Sequence, residues 1–399
     1  MKRILMLGGN FFQKTAIIRA KELGYYVITA DYLPNNPGHK YADEYHNVST
    51  IDKDAILTLA GKMNIDGIMS YASDISAPTA AYVAERLNLP TNPLQSVQIL
   101  TNKGMFRAFT RDYGIEMIYG EVFSKIEDAK DFAVHKCGFP LMVKPVDSSG
   151  SKGVTKVIDE RCFDEAFTLA MSYSASKHVI VERFIKKKGY QIDGDGFIVD
   201  GAITTFCVMD QHNDNDRNPH APIGLSYPSI QPIQYQIKAY QMIQDIFNKL
   251  DMQFGAFNFE YIVGEDDNVY LLEIGPRNGG NYIPDTIEYA TGIDMIAASI
   301  KACAGDDYLM DLTPKRSRVA TSYVVHSTNG GKFHGIEIDA DVSNKIKKSE
   351  IFVEKEAHIN AFLNGGDAIG CMLLGYDSIQ EMNSHMDRMW KHIVIKVGE

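Results

Sequence analysis

Leu141-Met142-Val143-Lys144-Pro145-Val146-Asp147-Ser148-Ser149-Gly150-Ser151-Lys152-Gly153-Val154 runs from an apolar strand into a loop of small residues and back toward an extended pattern. Pro145 lacks the N–H that a strand ladder uses, and Gly150 and Gly153 permit backbone angles that turn N–H groups toward an anion. Ser148, Ser149 and Ser151 add hydroxyl donors, and Lys152 adds charge. Two readings stay open at this point, a polyphosphate lid or an ordinary hairpin connection. A Walker A loop is excluded, because G-x-x-x-x-G-K-[ST] is absent and the loop joins strand to strand rather than strand to helix.

Working outward, 399 residues with 45% apolar content predict two or three globular domains. A net charge of -11 with no long basic run excludes a general nucleic-acid or anionic-membrane binder. Lys186, Lys187 and Lys188 read as a solvated hairpin. No run approaches the roughly 18 apolar residues of a membrane span, and Met1 to Asn10 breaks too early for a signal peptide. Cys137, Cys162, Cys207, Cys303 and Cys371 are scattered without a C-x-x-C pair. Reduced thiols, no zinc site and a cytoplasmic setting are expected.

The first 93 residues alternate strand and helix. Arg3 to Leu7 leads through Gly8-Gly9-Asn10 into a helix, then into a strand ending at Asp31, as in open α/β sheets that bind ligands at strand ends. Gln13 stands where the dinucleotide fingerprint needs its last glycine, which argues against a nicotinamide oxidoreductase. Ser73 and Asp74 close another strand, as ligand contacts or as a helix N-cap.

A helix from Thr101 to Tyr113 and a small α+β unit lead to the opening loop. Beyond it, antiparallel strands replace the alternation, with a hairpin turning at Asp200-Gly201. Gln211 to Pro222 is polar and contains prolines, and reads as a mobile lid or a surface loop. His212 and His220 within it lack zinc spacing.

Glu260 and Glu273 each lie amid apolar residues of a strand, Gly255 to Val263 and Val269 to Ile274, joined by an acidic turn. A buried carboxylate is costly unless paired or metal-bound. If the two strands pair, both carboxylates converge on one hard cation, the alternative being Arg or Lys partners. Arg277, two strand steps past Gly275, faces the same way and suits a phosphoryl group or an acyl oxyanion, or else a structural ion pair. Asn278-Gly279-Gly280-Asn281 supplies backbone for close approach. The remainder from Arg316 reads as a small mixed unit, with Trp390 in its core.

Taken together, Lys103, the Lys144 loop, Val181-Glu182-Arg183-Phe184-Ile185, Glu260 and Glu273-Ile274-Gly275-Pro276-Arg277 resemble the ATP-grasp superfamily of carboxylate-amine ligases. The plan is similar to the branch holding biotin carboxylase, phosphoribosylglycinamide synthetase, the carbamoyl phosphate synthetase large chain and L-amino acid ligase. The resemblance implies an α/β and α+β multidomain chain. Its parts are an N-terminal Rossmann-like pre-ATP-grasp domain (1–93), an ATP-grasp small subdomain with lid and hinge (94–185), a large subdomain with the metal site (186–315) and a C-terminal cap (316–399).

By position, the resemblance implies that Lys103 and Lys144 contact ATP, with Lys144 also catalytic. It makes Ser149, Gly150, Ser151 and Gly153 the lid over the phosphates, and Glu182, Arg183, Phe184 and Ile185 the adenine hinge. Gln191 stands where many members bind ribose through Glu. Glu260 and Glu273 match the ligands of Mg²⁺ or Mn²⁺, and Arg277 matches the catalytic arginine on the reacting phosphate. Asn10, Ser73, Asp74, Asn278 and Asn281 are the candidates for the substrate pocket. Gly275 departs from E-x-N-x-R, so one metal ligand is missing or comes from Asn278 or Asn281.

The implied reaction activates a small-molecule carboxylate as an acyl phosphate and joins it to an amine, releasing ADP and phosphate, with a homodimer as the family-based assembly. Asp74, His212 and His220 are candidates for the base. The rivals are a bicarbonate-using enzyme of the same superfamily and a nucleotide-binding sensor without turnover.

Overall fold

The computed structural model describes residues 1–115, 118–214 and 218–398. Four sheets organise it. The first is parallel, in the order Glu44–His46, Tyr26–Ala30, Arg3–Leu7, Gly67–Ser70. Its central strands are apolar on both faces, as parallel strands covered by helices must be. Phe11–Glu22 covers one face, and Lys53–Met63 with Ala77–Leu87 the other. The helix Met295–Cys303, nearly three hundred residues later, joins Phe11–Glu22 on its face through Ile296 and Ile300.

The second sheet, Gly120–Phe123, Val179–Arg183, Leu141–Pro145, Thr155–Val157, is antiparallel and carries Ile126–Phe132 and Phe163–Tyr173 on one face. The loop quoted above joins its last two strands.

The third sheet has eight antiparallel strands. Their order is Val269–Gly275, Gly255–Val263, Gln191–Val199, Ala202–Asp214, Asn218–Tyr227, Val319–Val325, Gly370–Tyr376, Ile346–Ile351. Its strands therefore come from both sides of residue 316. Side chains alternate between faces of a strand. Phe257, Phe259 and Tyr261 accordingly pack under the helix Ile233–Lys249, leaving Asn258 and Glu260 on the opposite face. Met295, Ala298 and Ala302 pack on this sheet beside Phe197 and Leu225, so one buried helix joins the first sheet to the third. The fourth sheet, His358–Ile359, Gly331–Ile338, Ile393–Gly398, closes a core with Met382 and Met386.

The helix expected from Thr101 to Tyr113 runs Lys103–Asp112, starting where extended Asn102 accepts the Met105 N–H, and a further helix, Leu94–Thr101, precedes it. In the segment expected as a lid or surface loop, Gln211 to Pro222, residues 211–214 and 218–222 extend two paired strands, and 215–217 lie outside the described residues. Within the sheet Gln211 accepts from Gln191 and His212 meets Ser226. Trp390 is 67% exposed, not core, because the expected final helix splits into Ile379–Met386 and Met389–His392. In the lysine run, Lys186 and Lys188 are exposed and pair with Glu265 and Asp267 of the acidic turn. Among the described residues no helix is long and apolar enough to cross a membrane.

Candidate active site

Strand register builds the site. Glu260 lies directly opposite Glu273 on one side and opposite Asp193 on the other, so three carboxylates form a row across three strands. One step along, Asn258 lies opposite Asp195 and Gly275. The sequence reading missed Asp193 and Asp195. Their signal was alternation, since Gln191, Asp193 and Asp195 share one face of their strand.

This row is charged unequally. Burial raises Glu273, but Lys103, whose Nζ lies 2.7 Å from Oε2, and Arg277 outweigh it and hold Glu273 down to about 2. Burial and then the Glu273 charge push Glu260 well above the carboxylate range, although Gln191 donates to its Oε2 at 2.8 Å. Burial also lifts Asp193 to about 7 and Asp195 to about 6. The Asn258 amide donates to both, at 2.7 and 3.0 Å. The Gly279 N–H donates to Asp195 at 2.9 Å. A Cβ on Gly279 would lie 2.8 Å from that carboxylate, so the close-approach turn is required by contact.

Arg277 donates to Asp74 at 2.5 Å and to the Asn278 carbonyl at 3.1 Å. Arg277 Nε and Asp74 Oδ1 are both buried without a partner among the described residues. A Cβ on Gly275 would lie 2.7 Å from Asp74 Oδ1 and 3.0 Å from the Arg277 guanidinium carbon. The residue missing from E-x-N-x-R is thus missing where Asp74 reaches in from the first sheet. Asp74 is not a helix cap. Ser76 holds the N-cap position of Ala77–Leu87 without a side-chain cap bond, and its hydroxyl meets that of Ser73.

Glu182 is 1% exposed and lies between Lys144 and Arg107, with both of which its carboxylate pairs. Burial opposes its ionisation, but the two cations hold it down to about 2. Its side chain therefore fixes Lys144. Arg107, absent from the sequence reading, follows Lys103 by four residues and so shares its helix face. The neighbouring backbone is partly committed, since the Arg183 N–H donates to Tyr119 and the Phe184 N–H to Pro140. Lys156 lies 3.9 Å over the Phe184 ring.

In the loop, Gly150, Ser151 and Gly153 have positive φ, and Lys103 reaches the Ser148 carbonyl at 3.0 Å. Burial, then Lys144 and Lys187, holds His220 down to about 4, so its imidazole is neutral. His212 is directed elsewhere. Gln211 bonds Gln191 on the carboxylate face, so His212 points through the sheet, where its Nε2 meets Ser226 at 2.7 Å.

The other pocket candidates are dispersed. Asn10 caps the helix Phe11–Glu22 in a reciprocal box with Gln13. Asn278 is buried and accepts from Ser299 at 2.8 Å. Asn281 and Tyr282 are consecutive left-handed residues in the turn after Arg277. Beyond them Lys348 meets Asp285 at 2.7 Å, and Lys14 meets Glu350 at 2.6 Å.

The model of the family "Carbamoyl-phosphate synthase L chain, ATP binding domain" matches residues 102–310. The formate-dependent phosphoribosylglycinamide formyltransferase of Burkholderia pseudomallei is 31% identical over 295 residues, 69% of each chain. This chain belongs to the ATP-grasp family. Solved structures agree on the fold. The L-amino acid ligase of Bacillus licheniformis superposes with a TM-score of 0.83 at 18% identity, covering 100% of this chain and 99% of that one. The biotin carboxylase domain dimer of Hydrogenobacter thermophilus 2-oxoglutarate carboxylase, solved with MgADP, ADP and bicarbonate, superposes at 0.76 and 15% identity, covering 99% and 90%. Mixed α/β content over several sheets is the fold of this ATP-grasp chain.

The donors present fit the magnesium that ATP-grasp enzymes use. Among the described residues no three His, Cys, Asp or Glu side chains form a ready cage. Glu260 and Glu273 instead offer oxygen atoms from a paired register, and Glu260 is half-buried beside a like charge. That suits a hard cation completed by phosphate oxygens.

Proposed function

We propose that the chain is an ATP-dependent ligase that joins a small-molecule carboxylate to an amine. The observation that carries this reading is the row Asp193, Glu260, Glu273, flanked by Lys103 and Arg277 and approached by a loop with three left-handed residues. Lys103 and Lys144 hold the nucleotide phosphates. Magnesium or manganese, held by Glu260 and Glu273, would neutralise phosphate charge.

In the first step a carboxylate oxygen attacks the γ-phosphorus and the bond to ADP breaks, giving an acyl phosphate. In the second the amine attacks the acyl carbon, phosphate leaves and a proton is lost. Arg277 neutralises the departing phosphate, and its ion pair with Asp74 fixes the guanidinium. Asp74 is the candidate acceptor of the amine's proton, because Oδ1 is unpartnered at that point whereas His212 faces away.

The chain divides in this reading into a Rossmann-like pre-ATP-grasp domain (1–93), lid and hinge (94–185), large subdomain (186–315) and cap (316–399). The parallel first sheet and the lid sheet support that division. A cytoplasmic homodimer acting on small molecules completes the proposal.

The test is ADP release from Mg-ATP against pooled amino acids, other small carboxylates and bicarbonate, with and without amines. Release dependent on one carboxylate and one amine, with the condensed mass, is expected. Glu273→Ala should abolish it and Lys144→Ala should raise KM for ATP. Release on bicarbonate alone identifies a carboxylase of the same family instead.

A further inference from the structure

Three segments distant in sequence meet at the tip of the phosphate loop. The Gly365 N–H donates to the Gly150 carbonyl at 3.2 Å. Ser151 Oγ donates to the His220 carbonyl at 2.7 Å, and Asn218 Nδ2 donates to the Leu363 carbonyl at 2.6 Å. The loop, the start of the strand Asn218–Tyr227 and the turn 363–367 therefore close a ring of contacts.

The turn is rigid for stated reasons. Asp367 Oδ2 accepts the N–H groups of Leu363 and Asn364, each at 3.1 Å, and Asn364 Oδ1 accepts from Gly366 at 2.9 Å. Phe362, fully buried against Ala221 and Val324, anchors its start. Lys152 of the loop runs beside Gly366, its Cε 3.4 Å from where a Cβ would stand. The same stretch of chain begins at Ile346–Ile351, whose Lys348 and Glu350 hold Asp285 and Lys14. One connected segment thus touches the loop at one end and the first sheet at the other.

We propose that the turn 363–367 is the dock on which the phosphate loop closes, with Asp367 and Asn218 as positioning residues that keep water from the acyl phosphate until the amine attacks. This rests on the ligase reading, since only a hydrolysable intermediate needs such shielding. Water attacking the same acyl carbon returns the carboxylate and phosphate, so an unlatched loop converts ligation into ATP hydrolysis.

Two measurements on the full-length protein test it. The first is trypsin cleavage after the exposed Lys152, followed by mass with and without Mg-ADP. In Asp367→Ala and in Asn218→Ala, which loosen the dock from opposite sides, cleavage should quicken by about fivefold or more at unchanged global stability. Asp367→Asn, which keeps an oxygen acceptor, should cleave as wild type. The second is the ratio of ADP released to condensed product, which should rise several-fold in the two Ala variants while kcat for ADP release changes little.

Cleavage equal to wild type in both Ala variants overturns the dock. Faster cleavage with an unchanged ADP-to-product ratio overturns the shielding role. Faster cleavage in a protein that makes no condensed product with any substrate keeps the dock and sinks the ligase reading.

Discussion

At the scale of single residues, Gly275 and Asp74 define each other. A side chain at 275 would enter the space of Asp74 Oδ1 and the Arg277 guanidinium. Gly275→Asn should therefore destabilise the protein by about 2 kcal/mol in urea unfolding and reduce turnover, by overpacking and by breaking the ion pair. Adding Asp74→Ala should recover part of the stability. No recovery would mean that the two positions do not compete for space.

Glu182 gives a pH prediction. Its folded pKa of about 2 lies below the ordinary 4.5, so its contribution is present above about pH 4.5 and lost as pH falls toward 2. The full effect is about 3 kcal/mol. Glu182→Gln should cost about 3 kcal/mol at neutral pH by leaving Lys144 and Arg107 without a counter-charge, and should flatten the acid limb of the stability curve. A parallel limb in wild type and variant would contradict the ion-pair account. Glu260 and Glu273 were legible in the sequence because a carboxylate inside an apolar strand demands a partner. Asp193 and Asp195 were signalled only by alternation along their strand and Arg107 not at all, because neither the order of strands in a sheet nor the packing of a helix on it is written locally.

At the scale of elements, alternation decides which face a residue serves. The strands Gln191–Val199 and Gly255–Val263 send Ile192, Ile198, Phe257, Phe259 and Tyr261 under Ile233–Lys249 and their carboxylates to the opposite face, which Phe197 shares. Gly194 is the tight point. A Cβ there would meet the Cys207 carbonyl at 2.1 Å and the Phe259 ring at 2.8 Å. Gly194→Ala should cost about 3 kcal/mol by urea unfolding, and a neutral result would show that the strands can separate there without penalty.

The parallel strands of the first sheet were readable because each is a short apolar run. The hairpin around His212 was not, because its polar residues imitate a loop and find partners only in neighbouring strands. The helix opening at Thr101-Asn102-Lys103-Gly104 was legible, and Asn102 caps it.

At the scale of the whole molecule, one buried helix, several ion pairs and the stacking of Phe11 on Phe352 help to join the parts. Asp294 caps Met295–Cys303 by accepting from Ala297 at 2.8 Å, and it pairs with Arg19 of the first unit at 2.5 Å. Asp294→Ala loses both contacts and should cost about 2 kcal/mol, whereas Arg19→Ala should cost about 1 kcal/mol or less. Hydrogen exchange in the strand Arg3–Leu7 reads the difference. Equal effects would remove the cap from the account. The order of its motifs suggested the family. It did not announce this helix, whose contacts lie far along the chain.

The central claim is activation of a carboxylate by phosphorylation, and oxygen transfer tests it most directly. Once pooled substrates have identified the acid, that acid is enriched with ¹⁸O in its carboxylate and turned over with Mg-ATP and the amine. The inorganic phosphate is then analysed by mass. An acyl phosphate predicts one ¹⁸O carried into phosphate for each condensed product, with ADP as the nucleotide released. Unlabelled phosphate, or AMP and pyrophosphate in place of ADP, would contradict the account.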